Sequence, residues 1–149
     1  MRKKFEQFEA DDGTQRRYVR HPRGGGWVEV SAVVDPTAHV AEAAYVDPGA
    51  RVEAEARIGP GAWIDRDALV RRLAVVGSAV HVGPGAVVGE RATLGPRARI
   101  GEAALVTARA TVPADADVPP RATVPPRSTV PPRTTVPRSG RTTRSRPAA

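Results

Sequence analysis

The sequence predicts an all-β fold, a parallel β-helix whose triangular coils hold 18 residues each, and three observations carry that prediction. A branched aliphatic residue or Leu returns at every sixth position from Val28 to Val136 without a gap. Ala sits two residues before almost all of them, from Ala32 to Ala122, with Val80 the one large intruder. Turn chemistry follows the aliphatics, as in Asp-Pro-Gly at 47–49, Gly-Pro-Gly at 59–61 and 83–85, and Gly-Pro-Arg at 95–97. A period of six held this long is a repeat architecture.

Composition agrees with a thin, evenly filled interior. Aromatic residues make up only 4% of the 149-residue chain, and the apolar content is mostly Ala and Val, which argues against a globule with a bulky centre. There is no Cys, which excludes disulfides and thiolate metal sites. The basic Met1-Arg-Lys-Lys4 is followed by acidic and polar residues rather than an apolar run, and no stretch is long and apolar enough to span a bilayer. A cytoplasmic protein without a signal peptide is the expectation.

Taken in order, residues 1–25 precede the repeat and read as an N-terminal cap. Phe5 to Phe8 and Arg17 to Arg20 flank Asp12-Gly13, a dipeptide that supplies the positive φ of a hairpin turn. A solenoid exposes an apolar end at its first coil, so a hairpin lid carrying Phe5, Phe8 and Tyr18 is expected there. Residues 26–118 are the regular solenoid. Each hexad gives a short strand and a corner: the Ala and the aliphatic point in, and the residue between them points out, as with Ala44, Val46 and Tyr45. Three sides close a coil, and successive coils pair at ~4.8 Å. Residues 119–136 keep the period but place Pro after each Val, which suits one weaker final coil or an extended segment. Residues 137–149 are Arg, Ser, Thr, Pro and Ala with one Gly, and read as a disordered basic tail.

The hexads and the closing Ala116-Asp-Val-Pro-Pro-Arg121 resemble the hexapeptide repeat of the left-handed parallel β-helix superfamily, which includes many acyltransferases. The resemblance covers about three quarters of the chain and supplies the handedness, since simple crossover rules favour the opposite hand. The Gly-Gly-Trp27-Val28-Glu29 opening is also similar to small bacterial hexapeptide-repeat proteins without assigned chemistry. Trimeric assembly is what the superfamily resemblance implies.

Charge and the outward columns set the functional expectations. Up to Asp117 the chain has 16 basic and 16 acidic residues, and from Val118 onward it has seven Arg and no acid, so the net charge of +7 belongs to the tail. Nucleic acid is therefore expected only nonspecifically, through that tail. Outward residues 18 apart stack: one column reads Trp27, Tyr45, Trp63, His81, Arg99, Asp117, with Glu29, Asp47 and Asp65 at the adjoining corner. Trp27, Tyr45 and Trp63 with Glu29, Asp47, Asp65 and Arg99 form a candidate binding platform for a peptide, sugar or protein, or else simply stabilise neighbouring strands. A second column presents Leu69, Val87 and Leu105, an apolar strip that fits a subunit interface or burial under the Pro-rich segment.

Chemistry has few carriers. An acyltransferase of the resembled superfamily uses a His to deprotonate the acceptor, and His81 is the candidate with His39 in reserve. No carboxylate is assigned to orient either. The hexads run from 26 to 118 without an insertion, leaving no extruded loop to wall a pocket. Zinc hydrolysis, also found on this fold, lacks its close His pair, because His81 falls in a different column from His21 and His39. No metal and no confident cofactor is expected; Glu29, Asp47 and Asp65 as cation ligands carry little weight. The first expectation is thus a β-solenoid scaffold that binds a partner or self-associates without a catalytic centre. The alternative is an acyltransferase using acyl-CoA with His81 as general base.

Overall fold

A computed structural model describes residues 5–9 and 15–126, with side chains from residue 17 onward. The expected lid residues Phe5 and Phe8, the Asp12-Gly13 turn and everything beyond residue 126 lie outside the described side chains. Strand β1 (Phe5–Glu9) pairs antiparallel with β2 (Gln15–Arg20), and β2 pairs antiparallel with β3 (Trp27–Glu29). From β4 (Val33–Val34) to β19 (Thr123–Val124) each hexad contributes one two-residue strand. Among the described residues there is no helix, and so none long and apolar enough to cross a membrane.

The strands stack into three parallel faces of a solenoid of about five turns. The first face continues the N-terminal ribbon through β3, β6 (Tyr45–Val46), β9 (Trp63–Ile64), β12 (His81–Val82), β15 (Arg99–Ile100) and β18 (Asp117–Val118). Its register pairs Trp27 with Tyr45, Tyr45 with Trp63, Trp63 with His81, His81 with Arg99, and Arg99 with Asp117. The 18-residue coil is therefore observed directly. Backbone N–H groups donate from one coil to the next, as Trp63 N does to Val80 O at 2.8 Å. Short strands cannot hold themselves, and this stacking satisfies the groups that each would leave open.

The interior is the predicted column of small and branched side chains. Ala from Ala38 to Ala122 and the aliphatics from Val40 to Val124 are all buried, with Val80 filling an alanine position at no cost in exposure. Ala alternates with Val, Ile or Leu because three inward faces meet at a narrow axis. The first coil is looser: Ala32 and Val34 only pack against the edge of this core, and Val33 is exposed.

The corners hold a feature that residue types alone do not announce. At every sixth position from Ala43 to Arg121 the backbone is left-handed, and only Gly49, Gly61 and Gly85 of these are glycines. Leu73 (φ 61°) and Arg97 (φ 64°) adopt it because their N–H groups donate to Ala54 O and Ser78 O on the preceding coil. The glycines directly after the aliphatics, such as Gly95, serve differently. A Cβ on Gly95 would lie 2.5 Å from the Ala114 backbone nitrogen, so close approach of coils requires the missing side chain.

Candidate functional site

The aromatic column splits into a covered and an open half. Strand β2 lies beside β3 with Tyr18 opposite Glu29 and Arg20 opposite Trp27. The Arg20 guanidinium sits 4.3 Å from the Trp27 ring centroid, and Tyr18 meets Tyr45 edge-on with centroids 5.8 Å apart. Trp27 and Tyr45 are consequently half-buried beneath the ribbon. Trp63, 44% exposed, begins the open half, and His81, Arg99 and Asp117 follow it up the same face.

The corner carboxylates differ in the same way. Glu29 and Asp47 were expected at the platform edge as acceptors for a ligand, but both are buried and engaged within the chain. Asp47 accepts the Tyr18 hydroxyl at 2.8 Å and the Trp63 indole N–H at 2.7 Å. Glu29 accepts from the backbone N–H and the hydroxyl of Ser31. Burial of these acids is compensated by those donors, which is how polar groups are kept in such places.

Asp65 repeats the Asp47 arrangement one coil further on, and there the ring is an imidazole. Its Oδ2 lies 3.1 Å from His81 Nε2, and the imidazole stacks on Trp63 with centroids 4.3 Å apart and planes 14° from parallel. His81 thus has the orienting carboxylate that the sequence did not assign. With Asp65 accepting the Nε2 proton, Nδ1 carries the lone pair and is the basic atom. The indole below and the carboxylate beside it fix the ring in one plane.

Next to this pair a shallow groove of about 330 Å³ runs along the face, lined by His81, Pro84, Arg99, Glu102, Asp117 and Pro119 among others. The other sequence candidates are not brought to it. His39 is exposed in β5 (His39–Val40) beside Arg57 on a different face, and His21 is buried with Nε2 2.9 Å from Ala38 O. Among the described residues no three His, Asp or Glu side chains are grouped to hold a metal ion. Leu69, Val87 and Leu105 line up on the second face, in β10 (Leu69–Val70), β13 (Val87–Val88) and β16 (Leu105–Val106), with Leu105 39% exposed.

No protein-family model matches the chain, and no curated protein is similar to it. Solved structures are. A mutant of GDP-perosamine N-acetyltransferase from Caulobacter crescentus, in complex with CoA and GDP-perosamine, is 30% identical with a TM-score of 0.67. That match covers 68% of this chain and 49% of that one. The acetyltransferase domain of PglB from Neisseria gonorrhoeae is 23% identical with a TM-score of 0.70, covering 78% of this chain and 55% of that one. A hexapeptide transferase family protein from Anaplasma phagocytophilum is 18% identical with a TM-score of 0.52, covering 72% and 70% respectively. The chain spans about half the length of the two acetyltransferases.

Proposed function

We propose that this chain, by fold a member of the hexapeptide-repeat left-handed β-helix superfamily, is an acyltransferase that moves an acyl group from acyl-CoA to an amine, with His81 as general base. The observation that carries the reading is the Asp65–His81 pair, held flat on Trp63 at the mouth of a groove. The similarity to an acetyltransferase in complex with CoA supports it and weighs against the non-catalytic scaffold.

The chemistry asked of these residues is modest. As the amine nitrogen bonds to the thioester carbonyl carbon, Nδ1 of His81 takes its proton; the carbon–sulfur bond then breaks and the departing thiolate receives that proton. Asp65 keeps the imidazole in the tautomer that leaves Nδ1 free and stabilises the cation formed during transfer. The groove is shallow in a single chain. A neighbouring subunit, packed through the Leu69, Val87 and Leu105 strip in a trimer, supplies the second wall that an extruded loop would otherwise give.

The test is acetyl-CoA binding by calorimetry and thiol release with a panel of amines, together with the mass in solution. Acetylation that falls by about 10²–10⁴-fold in His81→Ala, with acetyl-CoA still bound, is the expected result. Absence of both acetyl-CoA binding and thioester turnover in the assembled protein would overturn the proposal.

A further inference from the structure

We infer that Arg99 is a specificity-determining residue that pairs with a single anionic group on the acceptor, so that the groove beside His81 selects zwitterionic amines. The inference rests on the proposed acyl transfer for the direction of chemistry, but its binding site stands on separate observations.

The solenoid coils contain four oppositely charged pairs one coil apart at 18-residue spacing. Three of them close: Arg71 with Glu53 at 3.1 Å, Arg72 with Glu90 at 4.0 Å, and Arg97 with Asp115 at 2.8 Å. The fourth, Arg99 with Asp117, does not, although the two residues are direct register partners on adjacent strands. Among the described residues neither Arg99, Asp117 nor Glu102 has an ion-pair partner, and all three line the groove next to His81. Of the four pairs at this spacing, the one that stays open is the one that lines the groove.

Their signs restrict what the groove accepts. The groove is lined by one guanidinium and two carboxylates. An acceptor with one ammonium and one carboxylate or phosphate is matched: Asp117 and Glu102 attract the ammonium form, and Arg99 takes the anion through a charge-assisted, two-pronged contact. Arg99 is the strand neighbour of His81, its backbone one coil, ~4.8 Å, away, so both side chains reach the same groove.

The experiment measures binding of three probes to the full chain without an acyl donor: glucosamine 6-phosphate, 6-aminohexanoate and glucosamine, the last lacking an anion. The two zwitterions are expected to bind at least about tenfold more tightly than glucosamine. Arg99→Gln should bring that ratio towards one, and Arg99→Lys should restore part of it. A preference for the phosphate probe alone or the carboxylate probe alone, lost in Arg99→Gln, identifies the anion. Equal affinity for all three, or a ratio unchanged in Arg99→Gln, overturns the inference. Arg99-dependent binding with neither acetyl-CoA binding nor thioester turnover would defeat the acyltransferase reading and leave this site standing; turnover indifferent to the anion would do the reverse.

Discussion

Asp65 Oδ2 and His81 Nε2 are 3.1 Å apart, joined across neighbouring coils by residues sixteen apart in the chain. The same offset joins Asp47 to Trp63 one coil earlier. A corner carboxylate therefore receives the ring N–H of the next coil at both levels, and only the upper one is a titratable, proton-accepting ring. Replacing Asp65 with Asn should reduce acyl transfer chiefly through kcat, by about tenfold to a hundredfold, with KM for the acyl donor little changed. A nitrogen-15 spectrum of the imidazole gives a readout independent of turnover. It should show the Nε2–H form of His81 in the parent chain and a mixture of tautomers in Asp65→Asn.

Asp47 is engaged entirely within the chain, whereas the proposed mechanism gives Asp65 the task of orienting His81. At 6% exposure Asp47 ties β2 to the solenoid through Tyr18 and holds the Trp63 indole beneath His81. Asp47→Ala should cost about 2–3 kcal/mol in urea denaturation, because hydrogen bonds to a charged acceptor are lost from a buried place. Tyr18→Phe removes one donor and leaves the acid, and should cost about 1 kcal/mol. In both variants the amides of β2 should exchange faster than those of β9. Equal protection of the two strands would show that the ribbon is held by its backbone pairing alone.

The corners allow strain and crowding to be separated. Gly85 has φ +69° and nothing within 4 Å of where a Cβ would stand, so Gly85→Ala tests backbone conformation alone and should cost about 1 kcal/mol. A Cβ on Gly95 would stand 2.5 Å from the Ala114 nitrogen, and Gly95→Ala should cost about 1–3 kcal/mol through displacement of the coil above. Denaturation midpoints ordered the other way would contradict this division.

The stacking, the core and the outward columns were legible because a six-residue period leaves no freedom of register: Trp63 beneath His81 follows from arithmetic. What was not legible came from departures from that arithmetic. The Asp65–His81 contact runs from a corner to an outward position, so it crosses two columns that a spacing of 18 keeps apart. The left-handed corners at Leu73 and Arg97 carry no glycine signal, since a hydrogen bond to the coil below imposes the conformation. Covering of Trp27 and Tyr45 depended on where β2 lies, which no periodicity in residues 1–25 encodes.

Asp35 predicts how the looser first coil responds to acid. The Thr37 hydroxyl at 2.6 Å and then the Thr37 backbone N–H at 2.8 Å hold its carboxyl below the ordinary value of 3.8. A carboxylate with a lowered folded pKa adds stability that is present above 3.8 and is lost as pH falls through the folded value. The stability difference between the parent chain and Asp35→Ala should be constant from about pH 7 to pH 5 and shrink below 3.8. Thermal melts at neutral pH and near pH 3 check it, and a difference that grows in acid would reverse the assignment.

Leu105 tests the assembly that the proposed site needs. It is 39% exposed at the end of the Leu69, Val87 and Leu105 strip, and its backbone is fixed by pairing on both sides, so a charged side chain there is accommodated without unfolding. If the strip is a subunit interface, Leu105→Asp should weaken association by at least about tenfold, because it buries an unpaired carboxylate in the contact. Analytical ultracentrifugation reads this as a shift from trimer to monomer at equal concentration, and acyl transfer should fall with the trimer fraction. A parent chain that sediments as a monomer with full activity would assign the strip to another occupant, and deletion of residues 127–149 would then decide whether the Pro-rich segment covers it.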